Sequence, residues 1–234
     1  MFDRMIGILG GMGPEATADL FQEIIALTPA TRDQDHIRVL IYSNAKIPDR
    51  TRAILENGED PLPPLIESAR LLEKAGAGIL AIPCNAAHYF LPQMQAQIGI
   101  PILNMIEETC REFRSRLPNA NMAGLLAASG TVRSGIYQSV FGRAGVDVIT
   151  PDNGDQDLVQ SAIQKVKAGV QDSALRGTFE AVGGRLAKSG AQTVILGCTE
   201  IPLAFDPAHV DYPILNATRI LAQAAVDWAL GRRG

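Results

Sequence analysis

Cysteine is scarce in this sequence, and long apolar runs are absent from its start. The three cysteines, at positions 84, 110 and 198, form no CxxC pair. An odd number of thiols without paired spacing argues against a disulfide framework and favours a reducing compartment. The apolar run after Arg4 is broken by glycine from Gly7 onward, too early for a secretion signal or a membrane span. We therefore expect a cytoplasmic protein with no membrane partner.

Basic runs are equally scarce. None is longer than Arg232-Arg233, and the net charge is −4. A chain without a basic stripe cannot neutralise a row of phosphates, so we expect no nucleic-acid partner. With 47% hydrophobic residues and dispersed glycines and prolines, the 234 residues are typical of a globular protein of one or two domains.

Short apolar runs alternate with helical periodicities along the whole chain. The predicted strands are 5–9, 37–42, 78–82, 100–103, 122–127, 146–149, 193–196 and 212–215. The predicted helices are 15–27, 62–74, 85–98 with a bend or break near Pro92, 135–144, 157–166, 177–188 and 217–230. This alternation predicts an α/β fold in which mostly parallel sheets are covered by helices.

The second half of the chain repeats the first. Gly76 precedes Cys84 by the same distance as Gly190 precedes Cys198, and each cysteine follows a predicted buried strand. We therefore predict two pseudosymmetric domains, 1–104 plus 217–234 with a returning C-terminal helix, and 105–216. Because such sheets bind ligands at the carboxyl ends of their strands, the two thiols are expected in one cleft between the domains.

Two matched thiols indicate chemistry, whereas a single buried cysteine is usually a small hydrophobe. Cys110 has no counterpart and is interpreted as structural. A disulfide between Cys84 and Cys198 is disfavoured by the compartment. A metal site with His88 lacks a supporting ligand motif, so no metal is predicted. The remaining hypothesis is acid–base chemistry, in which one thiolate removes a proton and the opposite thiol delivers one.

The glycine loop 11–16 fits the loose dinucleotide pattern GxGxxA. The second strand, however, runs into 43–45 without the acidic residue that would hold a ribose, so no nicotinamide cofactor is predicted. The loop therefore either binds a small anion or allows a close turn. Arg50 and Lys167 are either solvated charges or anion-binding residues.

Taken together, several motifs in chain order resemble the aspartate racemase family, within the aspartate/glutamate/hydantoin racemase superfamily. They are 10–17, 43–44 with 47–50, 83–85 with 87–88, 130–131, 167–169 and 197–203. The resemblance implies two similar α/β domains and a homodimer. It also implies racemisation of an acidic amino acid, aspartate before glutamate, by paired cysteines without pyridoxal phosphate or another cofactor.

The resemblance also implies roles for individual residues. Cys84 and Cys198 become the two proton donors and acceptors. The residues implied to contact the amino-acid substrate are Met12, Arg50, Asn85, Ala86, Thr131, Lys167, Thr199 and Glu200. Among them, Arg50 and Lys167 are expected to hold the side-chain carboxylate.

Ala86 departs from the family pattern, which usually has threonine there. The lost hydroxyl could cost about 1.5 to 3 kcal/mol of carboxylate binding if nothing replaces it. Alternatives therefore stay open: a decarboxylase or cis–trans isomerase of the same superfamily, or a carboxylate-binding protein without turnover.

Overall fold

The computed structural model describes residues 4–170 and 172–232. The ends of the first predicted domain, residues 1–3 and 233–234, lie outside that range, and so does one residue of the pair Arg232-Arg233. Seven strands and eleven α-helices are found within it. In these described segments, no helix combines the length and the apolarity needed to cross a membrane.

The helices are, in chain order, α1 (Pro14–Leu27), α2 (Arg50–Leu55), α3 (Leu62–Lys74), α4 (Leu91–Gln95), α5 (Met105–Arg116), α6 (Ser129–Ser134), α7 (Ile136–Arg143), α8 (Asn153–Lys167), α9 (Ser173–Lys188), α10 (Ile201–Ala204) and α11 (Ala217–Ala229). The predicted helix 85–98 is broken next to Pro92, as predicted, but its first part is a 3₁₀ helix (Asn85–Phe90) and only its second part, α4, is an α-helix. Pro92 lies in the first turn of α4, where its missing N–H group costs nothing, so it starts this helix and does not bend one.

The first half contains a three-stranded parallel sheet. Its strands are β1 (Ile6–Gly10), β2 (Val39–Ser43) and β3 (Ile79–Ala81), with β1 in the centre. The predicted strand 100–103 is reduced to one bridge between Leu80 and Ile102. Pro101 has no N–H group to extend the ladder, and Asn104 already caps α5.

The second half contains a four-stranded parallel sheet with the order β5-β4-β6-β7. Its strands are β4 (Met122–Leu126), β5 (Asp147–Ile149), β6 (Val194–Leu196) and β7 (Ile214–Asn216). The first strand of each half therefore lies between the second and the third, as the internal repeat predicts. Two parallel sheets covered by helices confirm the predicted fold class.

The repeat extends to helix capping. The side chain of Asn104 accepts hydrogen bonds from the N–H groups of residues 106 and 107 at the start of α5. Asn216, at the matching position, accepts from the N–H groups of residues 218 and 219 at the start of α11. Each asparagine satisfies two N–H groups that a helix start leaves unpaired, which fixes where these helices begin.

One of three buried apolar clusters joins the two halves. Ile8 of the first sheet and Leu125 of the second belong to the same buried cluster, together with Leu221 of α11. Helix α11 packs against α1 of the first half and also against α5 of the second. The proposed division into 1–104 plus 217–234 and 105–216 therefore stays a prediction.

Candidate functional site

Both cysteines of the repeat lie just beyond the carboxyl end of a buried strand. Cys84 follows β3 and Cys198 follows β6, and both are buried free thiols. They line one cavity, called the inner cavity here. Its lining residues are Met12, Asp49, Arg50, Thr51, Cys84, Asn85, Ala86, Ala128, Thr131, Lys167, Cys198, Thr199 and Glu200.

All ten residues singled out in the sequence lie in this lining, although they come from six separate stretches of the chain. Sequence reasoning missed Asp49, Thr51 and Ala128. Asp49 and Thr51 flank Arg50, and Asp49 caps α2 by accepting a hydrogen bond from the N–H group of residue 52. The pattern Asp-Arg-Thr could have indicated this helix start, but six residues are too few for a visible periodicity.

Cys198 is hydrogen-bonded to a carboxylate. Its thiol donates to Oε2 of Glu200 at 3.0 Å, and both residues are buried. Burial raises the pKa of Cys198 well above its usual range, the negative charge of Glu200 raises it further, and Lys167 opposes them. Cys198 is therefore held as a thiol. The other carboxylate oxygen of Glu200, Oε1, is buried without a hydrogen-bond partner within the protein.

The segment around Cys84 is held from the second half of the chain. The hydroxyl of Thr199 donates to the carbonyl oxygen of Pro83 at 3.2 Å. On the other side of Cys84, the phenol of Tyr137 donates to Oδ1 of Asn85 at 2.6 Å. These two bonds fix the backbone before the thiol and the amide after it. Tyr137 gave no signal in the sequence, because an aromatic residue on an amphipathic helix is typical of a core.

The two cations differ in how they are held. Arg50 is buried and donates from its NH1 group to the carbonyl oxygens of residues 47 and 48, while its Nε has no partner. Lys167 is the last residue of α8. Burial works against its charge, but the carboxylate of Glu200, the largest of the opposing influences, raises the pKa of Lys167. The cavity therefore offers positive charge to an anionic ligand.

The glycine loop makes a close turn. Gly11 has a φ of +93°, and a Cβ atom there would lie 2.3 Å from the carbonyl carbon of Asn44. Only glycine fits this approach of two backbones. A second cavity of about 290 Å³ adjoins the loop and shares Met12, Arg50 and Glu200 with the inner cavity.

The remaining candidates for chemistry point elsewhere. His88 is buried, and its two ring nitrogens lie 2.9 Å from the carbonyl oxygen of Cys84 and 3.3 Å from that of Leu103. Burial lowers the pKa of His88, so the ring is neutral. Cys110 lies in α5, outside the inner cavity. Among the residues that the structure describes, no three His, Cys, Asp or Glu side chains are grouped to hold a metal ion.

Fold and site together define an α/β protein of two similar halves, each of which contributes one strand-end thiol to a shared cavity. The model of one family, Asp/Glu/Hydantoin racemase, matches residues 9–225. This match spans most of the chain and includes the whole lining of the inner cavity. The protein therefore belongs to the Asp/Glu/hydantoin racemase family.

Individual relatives agree with this assignment. The broad specificity amino-acid racemase RacX of Bacillus subtilis is 30% identical over 227 residues, which are 95% of this chain and 96% of the relative. The structure of Picrophilus torridus aspartate racemase matches with a TM-score of 0.87 at 30% identity, over 97% of this chain and 94% of the other. Glutamate racemase RacE1 of Bacillus anthracis, at 18% identity and a TM-score of 0.69, covers 99% of this chain and 84% of its own, and shows a shared fold.

Proposed function

We propose that this protein is an isomerase that racemises an acidic amino acid, with aspartate preferred over glutamate, and that it needs no pyridoxal phosphate. The observation that carries the proposal is the pair of thiols, Cys84 and Cys198, which reach one cavity from matched strand ends. Inversion at a carbon requires a base on one face and an acid on the other. Family membership and the aspartate racemase of similar structure support the choice of reaction and substrate.

In this proposal the two cysteines exchange roles during turnover. The thiolate of one cysteine takes the α-proton, and the electron pair left on Cα is delocalised into the α-carboxylate. The thiol of the other cysteine then gives its proton to the opposite face of Cα. The product is the other enantiomer, and the thiolate and the thiol have changed places. Because Cys198 donates a hydrogen bond to Glu200, we assign Cys198 as the initial acid and Cys84 as the initial base.

The rest of the inner cavity is proposed to bind the two carboxylates. The amide of Asn85 and the hydroxyl of Thr131 would contact the α-carboxylate, where negative charge grows in the transition state. The hydroxyl of Thr199, whose proton is donated to Pro83, would accept from the α-ammonium group. Arg50 and Lys167 would hold the side-chain carboxylate through charge-assisted hydrogen bonds. These assignments rest on the position of each side chain in the lining.

Met12, Ala86 and Glu200 complete the proposed substrate contacts. Met12 and Ala86 would shape the cavity wall. Glu200 accepts from Cys198 through Oε2 and would contact the substrate through Oε1, which has no partner within the protein. We further propose a homodimer in the cytoplasm, which the unpaired thiols and the family resemblance support. Light scattering on reduced protein should give twice the chain mass, and cell fractionation should place the protein in the soluble fraction.

The test is α-proton exchange in D₂O. Reduced protein without pyridoxal phosphate would be incubated with L- and D-aspartate and with L- and D-glutamate. The α-hydrogen signal would be followed by NMR and the enantiomer ratio by chiral chromatography. We expect exchange with inversion from both enantiomers of aspartate. Ligand-induced thermal stabilisation without exchange would instead support a binding protein, and loss of CO₂ or cis–trans conversion of an unsaturated diacid would support the other superfamily reactions.

A further inference from the structure

The side-chain amide of Asn85 has two features that the proposed proton transfer does not explain. Its Oδ1 accepts the hydrogen bond from Tyr137, whereas its Nδ2 is buried and has no partner within the protein. Leaving a buried donor unpaired is unfavourable, so such a group calls for a partner from outside the chain. Asn85 lines the inner cavity, where a bound ligand can supply the acceptor.

From this juxtaposition we infer that Tyr137 is a positioning residue, which orients the amide of Asn85 so that its NH₂ group faces the α-carboxylate of the substrate. The inference rests on the proposed function and adds a residue outside the cavity lining to it. Tyr137 is fully buried in α7, within the apolar cluster that joins the two halves, and its ring packs against Phe141. A ring held in this way keeps its hydroxyl at one point.

The protonation state of Tyr137 fits this role. Burial raises the pKa of its phenol, so the hydroxyl stays protonated. A protonated phenol can donate to Oδ1, and an amide whose oxygen is occupied must turn its NH₂ group the other way. Asn85 directly follows Cys84, so the same bond also limits movement of the segment that carries the proposed base.

The geometry spans the two halves of the fold. Tyr137 belongs to the second half and Asn85 to the first. The hydrogen bond on the other side of Cys84 likewise joins Thr199 of the second half to Pro83 of the first. Tyr137 therefore ties the amide to the half that carries Cys198. The expected consequence of losing the bond is a looser amide and weaker transition-state stabilisation, with the fold intact.

The experiment is a double-mutant cycle on Tyr137→Phe and Asn85→Ala, with racemisation of aspartate as the readout. Tyr137→Phe removes only the hydroxyl, and we expect kcat/KM to fall about 5- to 10-fold. In the Asn85→Ala background the same change should alter kcat/KM by less than about 2-fold, because the amide it orients is gone. Equal effects in both backgrounds would overturn the inference.

Tyr212→Phe is the matched control. Tyr212 also donates its hydroxyl to a protein oxygen, the carbonyl of Glu180 at 3.0 Å, but it lies outside the inner cavity. If Tyr137 acts only on stability, both phenylalanine variants should lower the melting temperature and leave kcat/KM unchanged. That result would refute a positioning role.

Asn85→Asp tests which way the amide points. An aspartate has the same shape but offers only acceptors, so it should repel the substrate carboxylate and lose at least as much kcat/KM as Asn85→Ala. An Asp variant that retains activity would mean that Oδ1 faces the substrate, contrary to the inference. If the wild-type protein racemises no amino acid, the proposed function has failed, and the same cycle would be read out as aspartate affinity by calorimetry.

Discussion

Restoring the missing hydroxyl at position 86 should improve substrate binding. Ala86 lines the inner cavity beside Asn85 and is 9% exposed, so a side chain added there would face the bound ligand. The resemblance described in the sequence analysis implies threonine at this position. We therefore predict that Ala86→Thr lowers the KM for aspartate.

The size of the effect follows from what already surrounds the carboxylate. A hydrogen bond to a charged group is worth about 1.5 to 3 kcal/mol, equivalent to roughly 10- to 150-fold in affinity. Asn85 and Thr131 line the same cavity and can already hold the carboxylate, which places the expected gain near the lower limit, about 10-fold. The hydroxyl would contact the carboxylate before and during proton transfer, so kcat should change by less than about 2-fold.

The assay is a full kinetic comparison of three proteins. Wild type, Ala86→Thr and Ala86→Val would be assayed with L- and D-aspartate by chiral chromatography. Valine matches threonine in shape and in its branched Cβ but lacks the hydroxyl, so the difference between the two variants isolates the hydrogen bond. Equal KM values for the threonine and valine variants would refute the reasoning. A rise in kcat without a change in KM would show that the hydroxyl acts only in the transition state.

Three further predictions concern the thiols, Glu200 and Asp19. Cys84→Ser and Cys198→Ser should each lower racemisation about 100- to 10,000-fold, whereas Cys110→Ser should retain it; full activity in either of the first two would refute the two-base scheme. Glu200→Gln should lower the pKa of the Cys198 thiol, because it removes a negative charge beside a buried thiol. The thiolate absorbance should then appear at lower pH than in wild type, and an unchanged titration would contradict this. Asp19→Asn should stabilise the protein above pH 6, because burial and then the charge of a neighbouring carboxylate raise the pKa of Asp19 from 3.8 to about 6. A carboxyl group with a raised pKa in the folded state destabilises the fold progressively as the pH rises from 3.8 to about 6. The stability gained by Asp19→Asn should therefore be absent below pH 4 and reach about 1 to 2 kcal/mol at pH 8, a value reduced because Asp19 is only partly buried. Urea unfolding curves without this pH dependence would contradict the prediction.

Regular periodicity and the internal repeat made most of the fold predictable. All seven strands lie within two residues of their predicted limits, because short apolar runs between turn residues leave little choice. The helices that the sequence did not indicate are short. Helices α2, α6 and α10 have four to six residues, fewer than two helical turns, so no periodic pattern indicates them. Their starts depend on tertiary contacts, as with α6, whose Gly130 lies directly against Thr51 of α2.

The candidate site was predictable where a motif lies at a strand end and unpredictable where a contact crosses between the halves. Cys84 and Cys198 could be paired from the repeat alone, because matched positions in similar halves reach matched places. Tyr137 could not be found in this way, because only the folded arrangement brings it to Asn85.

The pseudosymmetry of the two halves ends beside the thiols. The two halves place their thiols alike, but the residues beside the thiols differ: an amide follows Cys84, and a carboxylate lies two residues after Cys198. In a fully symmetric site both thiols would have the same environment and the same protonation state. A two-base reaction needs one thiolate and one thiol at the start, so equal thiols would leave part of the protein in an inactive state. The hydrogen bond from Cys198 to Glu200 removes that equality, because it favours the proton on Cys198. The departure from symmetry is thus what would prepare a nearly symmetric cavity for the first proton transfer, after which the product leaves the two cysteines in exchanged states for the reverse reaction.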